Sequence, residues 1–395
     1  MTTTTPTRRK LPRLSVNLRQ YGILAALVII IILFEVLTNG RLLLPGNVNN
    51  LIQQNSYVII LAIGMVIVII AGHIDLSVGS VVAMVGAVAA ISMNNWGLPW
   101  WAAVVLSIVV GGLVGAWQGF WVAFVGIPAF IVTLAGMLLF RGLTLVLLTG
   151  GTISGLPAEF TAIAAGWLPG IAGEIAGRDL LTILLGAVAS VALVVSQLRT
   201  RATLRRLELP REPGASFWAK SVLIIAAIMA GAWSLAGYSG TPIILVILAV
   251  LVLLYTFVLG QTVFGRHVYA MGGNLFAAMM SGVKTKWVNF FIFVNMGALA
   301  GLAGVVSTAR AGSAVASAGQ NYELDAIAAV FIGGAAVQGG IGTVGGAVIG
   351  GLVMGVLNMG LSILSVDAAW QMAIKGLVLL LAVAFDIFNK RRGGR

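Results

Sequence analysis

Cysteine is absent from the 395 residues, which excludes disulfides and thiolate metal sites. Histidine occurs only at His73 and His267, in different segments and without metal-ligand spacing to a second ligand, so no metal centre is expected. Charged residues make up 9% of the chain, against roughly 25% in soluble domains, too few to clothe a soluble surface. No Gly-x-x-x-x-Gly-Lys-Ser/Thr stretch occurs, so the chain has no phosphate loop of its own. Nothing in the sequence pairs the scattered Asp75, Asp325, Asp367 and Asp386, and no catalytic constellation emerges. The expectation is a protein that is not an enzyme.

What is present is apolar: 60% of residues, in twelve segments near 21–38, 56–72, 77–92, 100–118, 128–149, 179–197, 221–236, 242–262, 288–306, 325–339, 343–362 and 370–388. Most approach the roughly 20 residues that cross a hydrocarbon core. The segments at 77–92, 221–236 and 325–339 are short and rich in Gly, Ala and Ser, as broken or re-entrant helices are. The fold expected is all-α, a polytopic membrane protein with about 10–12 transmembrane or re-entrant helices.

The net charge of +12 does not point to nucleic acid, because Lys and Arg gather at the ends of apolar runs. They concentrate in 1–20, 198–220, 263–287 and 389–395, whereas the alternate connections hold only Arg41, Arg178 and Arg310. By the positive-inside rule the concentrated set is cytoplasmic, and both termini with it. The organisation follows: a basic N-terminal segment (1–20), a transmembrane domain (21–388) with a basic insert at 198–220 and a loop at 263–287, and a basic tail (389–395). The insert suits contact with anionic membrane lipid. No small-residue cleavage site follows the first apolar run, so it reads as an uncleaved span.

The loop at 263–287 is more organised than a connector. Asn274 suits an N-cap, Leu275 to Ser281 about two helical turns, and Gly282 a left-handed C′ position. Asp75-Leu76-Ser77-Val78-Gly79 resembles Asp325-Ala326-Ile327-Ala328-Ala329, and Phe130 precedes Gly136 as Trp370 precedes Gly376. With opposite orientations, these would make the two halves inverted repeats.

Other motifs favour structural readings. Gly340-Ile341-Gly342-Thr343-Val344-Gly345 matches the dinucleotide fingerprint, yet it lies between two apolar spans and reads as a tight turn. Gly111, Gly115 and Gly119, with Gly346/Gly350 and Gly351/Gly355, are spaced for close helix packing. Asp75 reads as a cap on a helix starting at Leu76, or with His73 as an ion site at a helix break. Arg141 and Lys375 are cations within spans, paired with acids such as Asp367 or Asp386 or facing a hydrophilic path. Gln118, Asn295 and Asn358 are further polar groups for a path or for interhelical bonds.

Over nearly its whole length the chain resembles the membrane permeases of bacterial ATP-driven sugar importers of the ribose, arabinose and xylose type, xylose permeases above all. The resemblance rests on five blocks: Gly72–Gly79, Ile127–Met137, Gly272-Gly273-Asn274 with Ala277, Ala278, Ser281 and Gly282, Glu323–Ala329 with Ile332-Gly333-Gly334, and Gly376-Leu377 near the end. It implies a multi-pass protein of the bacterial inner membrane that imports a monosaccharide, D-xylose first and ribose or another sugar as the alternative. An ion-coupled secondary transporter is the more distant alternative. The implied partners are a second copy of the permease, a cytoplasmic ATPase that holds ATP and Mg, and a periplasmic or surface-tethered sugar-binding protein. Gly272 to Gly282 would then couple to the ATPase, and Glu323 and Asp325 would face the binding protein. His73, Asp75, Ser77, Gln118, Phe130, Thr133, Arg141, Asn295, Asn358 and Lys375 would line or gate the path.

Overall fold

A computed structural model describes residues 18–149, 151–209 and 213–393. The basic cluster at Arg8–Arg13 and Arg211 lie outside the described residues. The elements, in order, are α1 (Leu18–Leu37), α2 (Pro45–Ile70), α3 (Val78–Asn94), α4 (Trp100–Phe120), α5 (Ala129–Leu148), β1 (Thr152–Ser154), α6 (Ala158–Ala165), β2 (Glu174–Ile175) and β3 (Arg178–Asp179). Then come α7 (Leu180–Arg206), α8 (Gly214–Ala236), α9 (Ile243–Gln261), α10 (Val263–Gly273), α11 (Leu275–Met280), α12 (Thr285–Ala311), β4 (Ser313–Val315), α13 (Tyr322–Ile332), α14 (Val344–Ile363) and α15 (Ala368–Gly393). Among the described residues eight helices are long and apolar enough to cross a membrane, and 22–37, 78–94 and 368–381 are shorter apolar helices. The fold is an all-α polytopic one, with two short β-ribbons, β1–β4 and β2–β3.

Composition places each helix. From Val58 to Ile70, α2 is apolar on every side and buried on every side, as a central helix must be. It ends at Gly72, whose φ of +85° supplies the left-handed turn that other residues resist. Prolines fix the entry to α4, α5, α8 and α9, since Pro99, Pro128, Pro213 and Pro242 each immediately precede the helix. Glycine spacing sets the tightest contact: a Cβ on Gly111 would lie 2.9 Å from Gly301 Cα, and one on Gly119 2.9 Å from Phe290 O. Only a side-chain-free stripe lets α4 and α12 approach so closely. Gly350 meets Ala329 and Gly333, while Gly351 and Gly355 meet Ile59 and Asn55, so α14 is pressed against α13 and α2 in the same way.

The two halves reciprocate. In each, a long helix is followed by a non-helical break, a short helix and two longer helices: α2 to α5, and α12 to α15. Helix α2 packs against α13 and α14, and α12 packs against α3 and α4. The two long helices run antiparallel, because Arg310 near the end of α12 bonds Asn50 near the start of α2. At the other end α10, which follows α9 and packs on α12, meets the end of α2. This is the arrangement of an inverted repeat, with Asp75 three residues before α3 and Asp325 the fourth residue of α13.

Several boundaries differ from expectation. Segment 221–236 is not short: α8 begins at Gly214, because Trp218 and Lys220 lie on a continuous helix. Segment 325–339 is helical only to Ile332, after which Gly333, Gly334, Gly339 and Gly340 carry the chain without helix. Helix α2 starts eleven residues earlier than its apolar run, through Asn49, Gln53, Asn55 and Ser56, all buried. Hydropathy reads those side chains as a loop, whereas burial against other helices keeps them in one. The basic insert is mainly the end of α7, which runs to Arg206, with α8 beginning at Gly214; the basic tail is the end of α15, which continues to Gly393.

Candidate functional site

Three places gather the chemistry. The first is the break between α2 and α3. Asp75 Oδ1 accepts from the Ser77 amide at 2.8 Å and from Ser77 Oγ at 2.6 Å. Gln118 Nε2 donates to Ser77 Oγ at 2.6 Å, and Thr133 Oγ1 lies 3.4 Å from the Ile74 carbonyl. Asp75, Ser77, Gln118 and Thr133 are all buried. The helix starts at Val78, so Asp75 does not cap it directly as expected; the carboxylate orders Ser77, the N-cap residue, whose hydroxyl is turned toward α4. His73 bonds Asn289 of α12 at 3.0 Å through its ring Nε2, and burial holds the imidazole below its ordinary pKa, with that bond opposing. Phe130, in the second position of α5, is exposed.

The second place is a polar cavity of about 310 Å³ near the Arg310 end of the bundle, between α2, α12, α13, α14 and α15. Gln53, Asn55, Tyr57, Tyr322, Asn358 and Lys375 are among its walls. Lys375 Nζ pairs with Asp325 Oδ1 at 3.1 Å, and Tyr57 donates to Asp325 Oδ2 at 3.2 Å. Tyr57 and Tyr322 stack with centroids 3.6 Å apart. Asn358 Nδ2 donates to Asn55 Oδ1 at 3.3 Å.

The structure corrects several assignments here. The partner of Lys375 is Asp325 rather than Asp367, because α13 inserts beside α15; the side chain of Asp386 lies outside the described residues. Asp325 is 3% exposed and turned inward, so its carboxylate does not present an outer surface. Among the described residues Arg141 forms no ion pair with Asp367: its Nη1 donates to the carbonyls of Ala316 at 3.0 Å and Ala318 at 2.6 Å, pinning the connection from α12 to α13. Glu323, half-buried, lies against Gly79. Asn295 accepts a hydrogen bond from Tyr255, tying α12 to α9 away from the cavity. The cavity's signal was the run Gln53-Gln54-Asn55-Ser56, of which Gln53, Asn55 and Ser56 are buried.

The third place is the α10–α11 face. Thr262 caps α10 through a bond from the Gly265 amide, and Asn274 caps α11 through a bond of 2.9 Å from the Ala277 amide. Gly282 closes α11 at φ +82°. Asn274 and Gly282 are the capping residues expected from sequence; α10 and its cap Thr262 are additions. Leu275, Phe276, Met279 and Met280 are exposed, whereas Ala278 is buried, and Ser281 Oγ bonds the Ala277 carbonyl. Besides packing through the buried Val268, Met271 and Ala278, the pair meets the core backbone to backbone. Gly272 abuts Ile70 O, and the Gly340 amide donates to that same carbonyl at 2.8 Å. Tyr269 donates to Gly342 O at 2.7 Å, and burial raises its phenol above the ordinary pKa. The Gly340–Thr343 part of that motif is therefore a turn, as read from sequence, and one that bears α10, while Val344 and Gly345 open α14.

The chain is 42% identical to the xylose transport system permease protein of Haemophilus influenzae over 96% of this chain and 98% of the relative. To the xylose transport system permease protein of Escherichia coli K12 it is 39% identical, over 96% and 94%. To the ribose import permease protein of Escherichia coli K12 it is 33% identical, over 99% and 100%. No solved structure matches the chain. These likenesses and the apolar helices make it a multi-pass protein of the bacterial inner membrane. A family model matches residues 47–383, and the chain belongs to the family it describes, "Branched-chain amino acid transport system / permease component".

Proposed function

We propose that this chain is the membrane permease of an ATP-driven importer of D-xylose, working as two copies with a cytoplasmic ATPase and an outer sugar-binding protein. Its closeness to two xylose permeases supports the sugar, and the lower identity to a ribose permease makes ribose the second reading. The family description speaks of branched-chain amino acids, so the family alone does not choose the substrate.

One observation carries the coupling role. Helix α11 holds an exposed apolar surface close in sequence to the exposed Arg266, Lys284 and Lys286, and its support touches the break after α2 at Ile70 and the connection from α13 to α14 at Gly340. A partner that grips Leu275, Phe276 and Met280 thereby acts on the residues leading into α3 and into α14. In this reading α10 and α11 face the cytoplasm and the partner is the ATPase, which holds ATP and Mg. Closure of that partner moves α11, and rigid helices transmit the movement by rocking.

Ala277 and Gly273 are both exposed, so a carboxylate at either disturbs the docking surface without entering the core. Ala277→Glu and Gly273→Glu are expected to leave the permease inserted and to abolish sugar-stimulated ATP hydrolysis by the reconstituted complex. Undiminished stimulation in both variants would refute the coupling role.

A further inference from the structure

We propose that His73 and Asn289 form a second coupling link, through which movement of α11 reaches the break between α2 and α3 by way of α12. The proposal rests on the coupling role given to α11 above and adds the pair of side chains that passes the movement on. His73 thereby leaves the set of residues that line the path and becomes a positioning residue.

The link is continuous on both sides. Ala278, the buried residue of α11, accepts a 3.1 Å bond from the Val283 amide, which ties α11 to the segment entering α12. Helix α12 starts at Thr285, so Asn289 lies at the opening of its second turn and moves with its first residues. His73 meets Asn289 at 3.0 Å, and because Asn289 Oδ1 carries no proton, the ring donates from Nε2. Among the described residues this is the one side-chain hydrogen bond between the break and α12. Past His73, the Ile74 carbonyl meets Thr133 of α5 at 3.4 Å, Asp75 orders Ser77, and Ser77 is joined to Gln118 of α4. One side chain of α12 therefore reaches a junction that also holds α4 and α5.

Helix α11 is flanked by α10 and α12, and each flank is fastened to the end of α2. The α10 flank is fastened through Gly272 at Ile70, and the α12 flank through Asn289 at His73. His73 is also tied to α2 itself, because its amide donates to Val68 O at 3.0 Å. With both flanks held, a displacement of α11 has to move the junction. With the α12 flank released, α11 tilts about its α10 anchor while the break stays in place. ATP is then spent without a matching movement of the path.

The test uses the complete transporter in proteoliposomes and reads ATP hydrolysed per D-xylose imported. A merely structural loss lowers hydrolysis and uptake together and leaves that ratio unmoved. His73→Phe keeps a ring beside Phe293 without the N–H, and Asn289→Leu keeps the volume without the acceptor. Each is expected to raise the ratio about three- to tenfold, the range of one hydrogen bond, and the double variant no further. His73→Gln places an amide N–H near the position of Nε2 and should restore the ratio. If either variant fails to insert, His73→Ala or Asn289→Ala takes its place. An unchanged ratio in both single variants overturns the link. So does a double variant whose effect is the product of the singles, or a His73→Gln that behaves like His73→Phe. Ala277→Glu and Gly273→Glu separate the link from the coupling role. Where those two abolish stimulated hydrolysis and the His73 and Asn289 variants keep the normal ratio, only the link falls. Undiminished stimulation in both carboxylate variants brings down the coupling role and the link with it.

Discussion

Substituting Gly272 by alanine tests how much the backbone contact with Ile70 and Gly340 contributes to holding α10 on the core. An ideal Cβ there would lie 2.5 Å from Gly340 N and 2.8 Å from Ile70 C, and closer still to Ile70 O. Ordinary carbon contacts are about 3.5–4.0 Å, so α10 has to withdraw by roughly 1 Å. All the clashing atoms are backbone and cannot rotate away. Overpacking of this kind costs about 1–3 kcal/mol. Disturbing the Gly340 amide's bond to Ile70 O adds about 1 kcal/mol. A total near 3 kcal/mol shifts the docked-to-displaced ratio by roughly a hundredfold. Hydrogen–deuterium exchange reads this directly: protection of the Gly340 amide should fall by about that factor. The neighbouring Gly273→Ala is the control, because a Cβ there meets nothing within 4 Å. In proteoliposomes Gly272→Ala should spend more ATP per sugar imported, and Gly273→Ala should not. If the two variants protect Gly340 equally, the anchoring argument is wrong.

Other expectations follow from the buried polar contacts. Lys375→Met strands the Asp325 carboxylate with only Tyr57 and should destabilise the purified permease by about 3 kcal/mol; adding Asp325→Asn should recover most of the lost thermal midpoint. Arg141→Met removes two charge-assisted bonds to Ala316 O and Ala318 O, on the order of 3 kcal/mol, and exchange should quicken across 312–321. Arg141→Lys, able to reach one carbonyl, should fall between the two; equal exchange in all three would remove Arg141 from this role. Ser77→Ala breaks the chain from Asp75 to Gln118 and leaves a buried amide without its acceptor, a cost of about 1–3 kcal/mol visible in the thermal midpoint. An unchanged midpoint would show that Gln118 finds another partner.

Sequence alone determined what depends on composition and local chain geometry. With 60% apolar residues in long runs, most helices had to be membrane helices, because no other local structure satisfies the backbone in hydrocarbon. Asn274 and Gly282 announced α11, since capping and a left-handed turn are properties of a few adjacent residues. The glycine spacings announced close packing, and the structure supplied the partners. Tertiary structure decided what lies across the chain. It chose Asp325 rather than Asp367 for Lys375, fifty residues apart, because that choice depends on where the short α13 inserts. It turned Arg141 onto the carbonyls of a distant connection and kept Gln53 and Asn55 in a helix that hydropathy alone would end. Hydropathy measures a residue's affinity for lipid, but α2 is surrounded by protein, and there a polar side chain is admitted or refused by the neighbours that meet it. The apolar runs therefore fixed the spans, and only the packing of one half against the other made a cavity and joined it, through α2, to the face that bears α11.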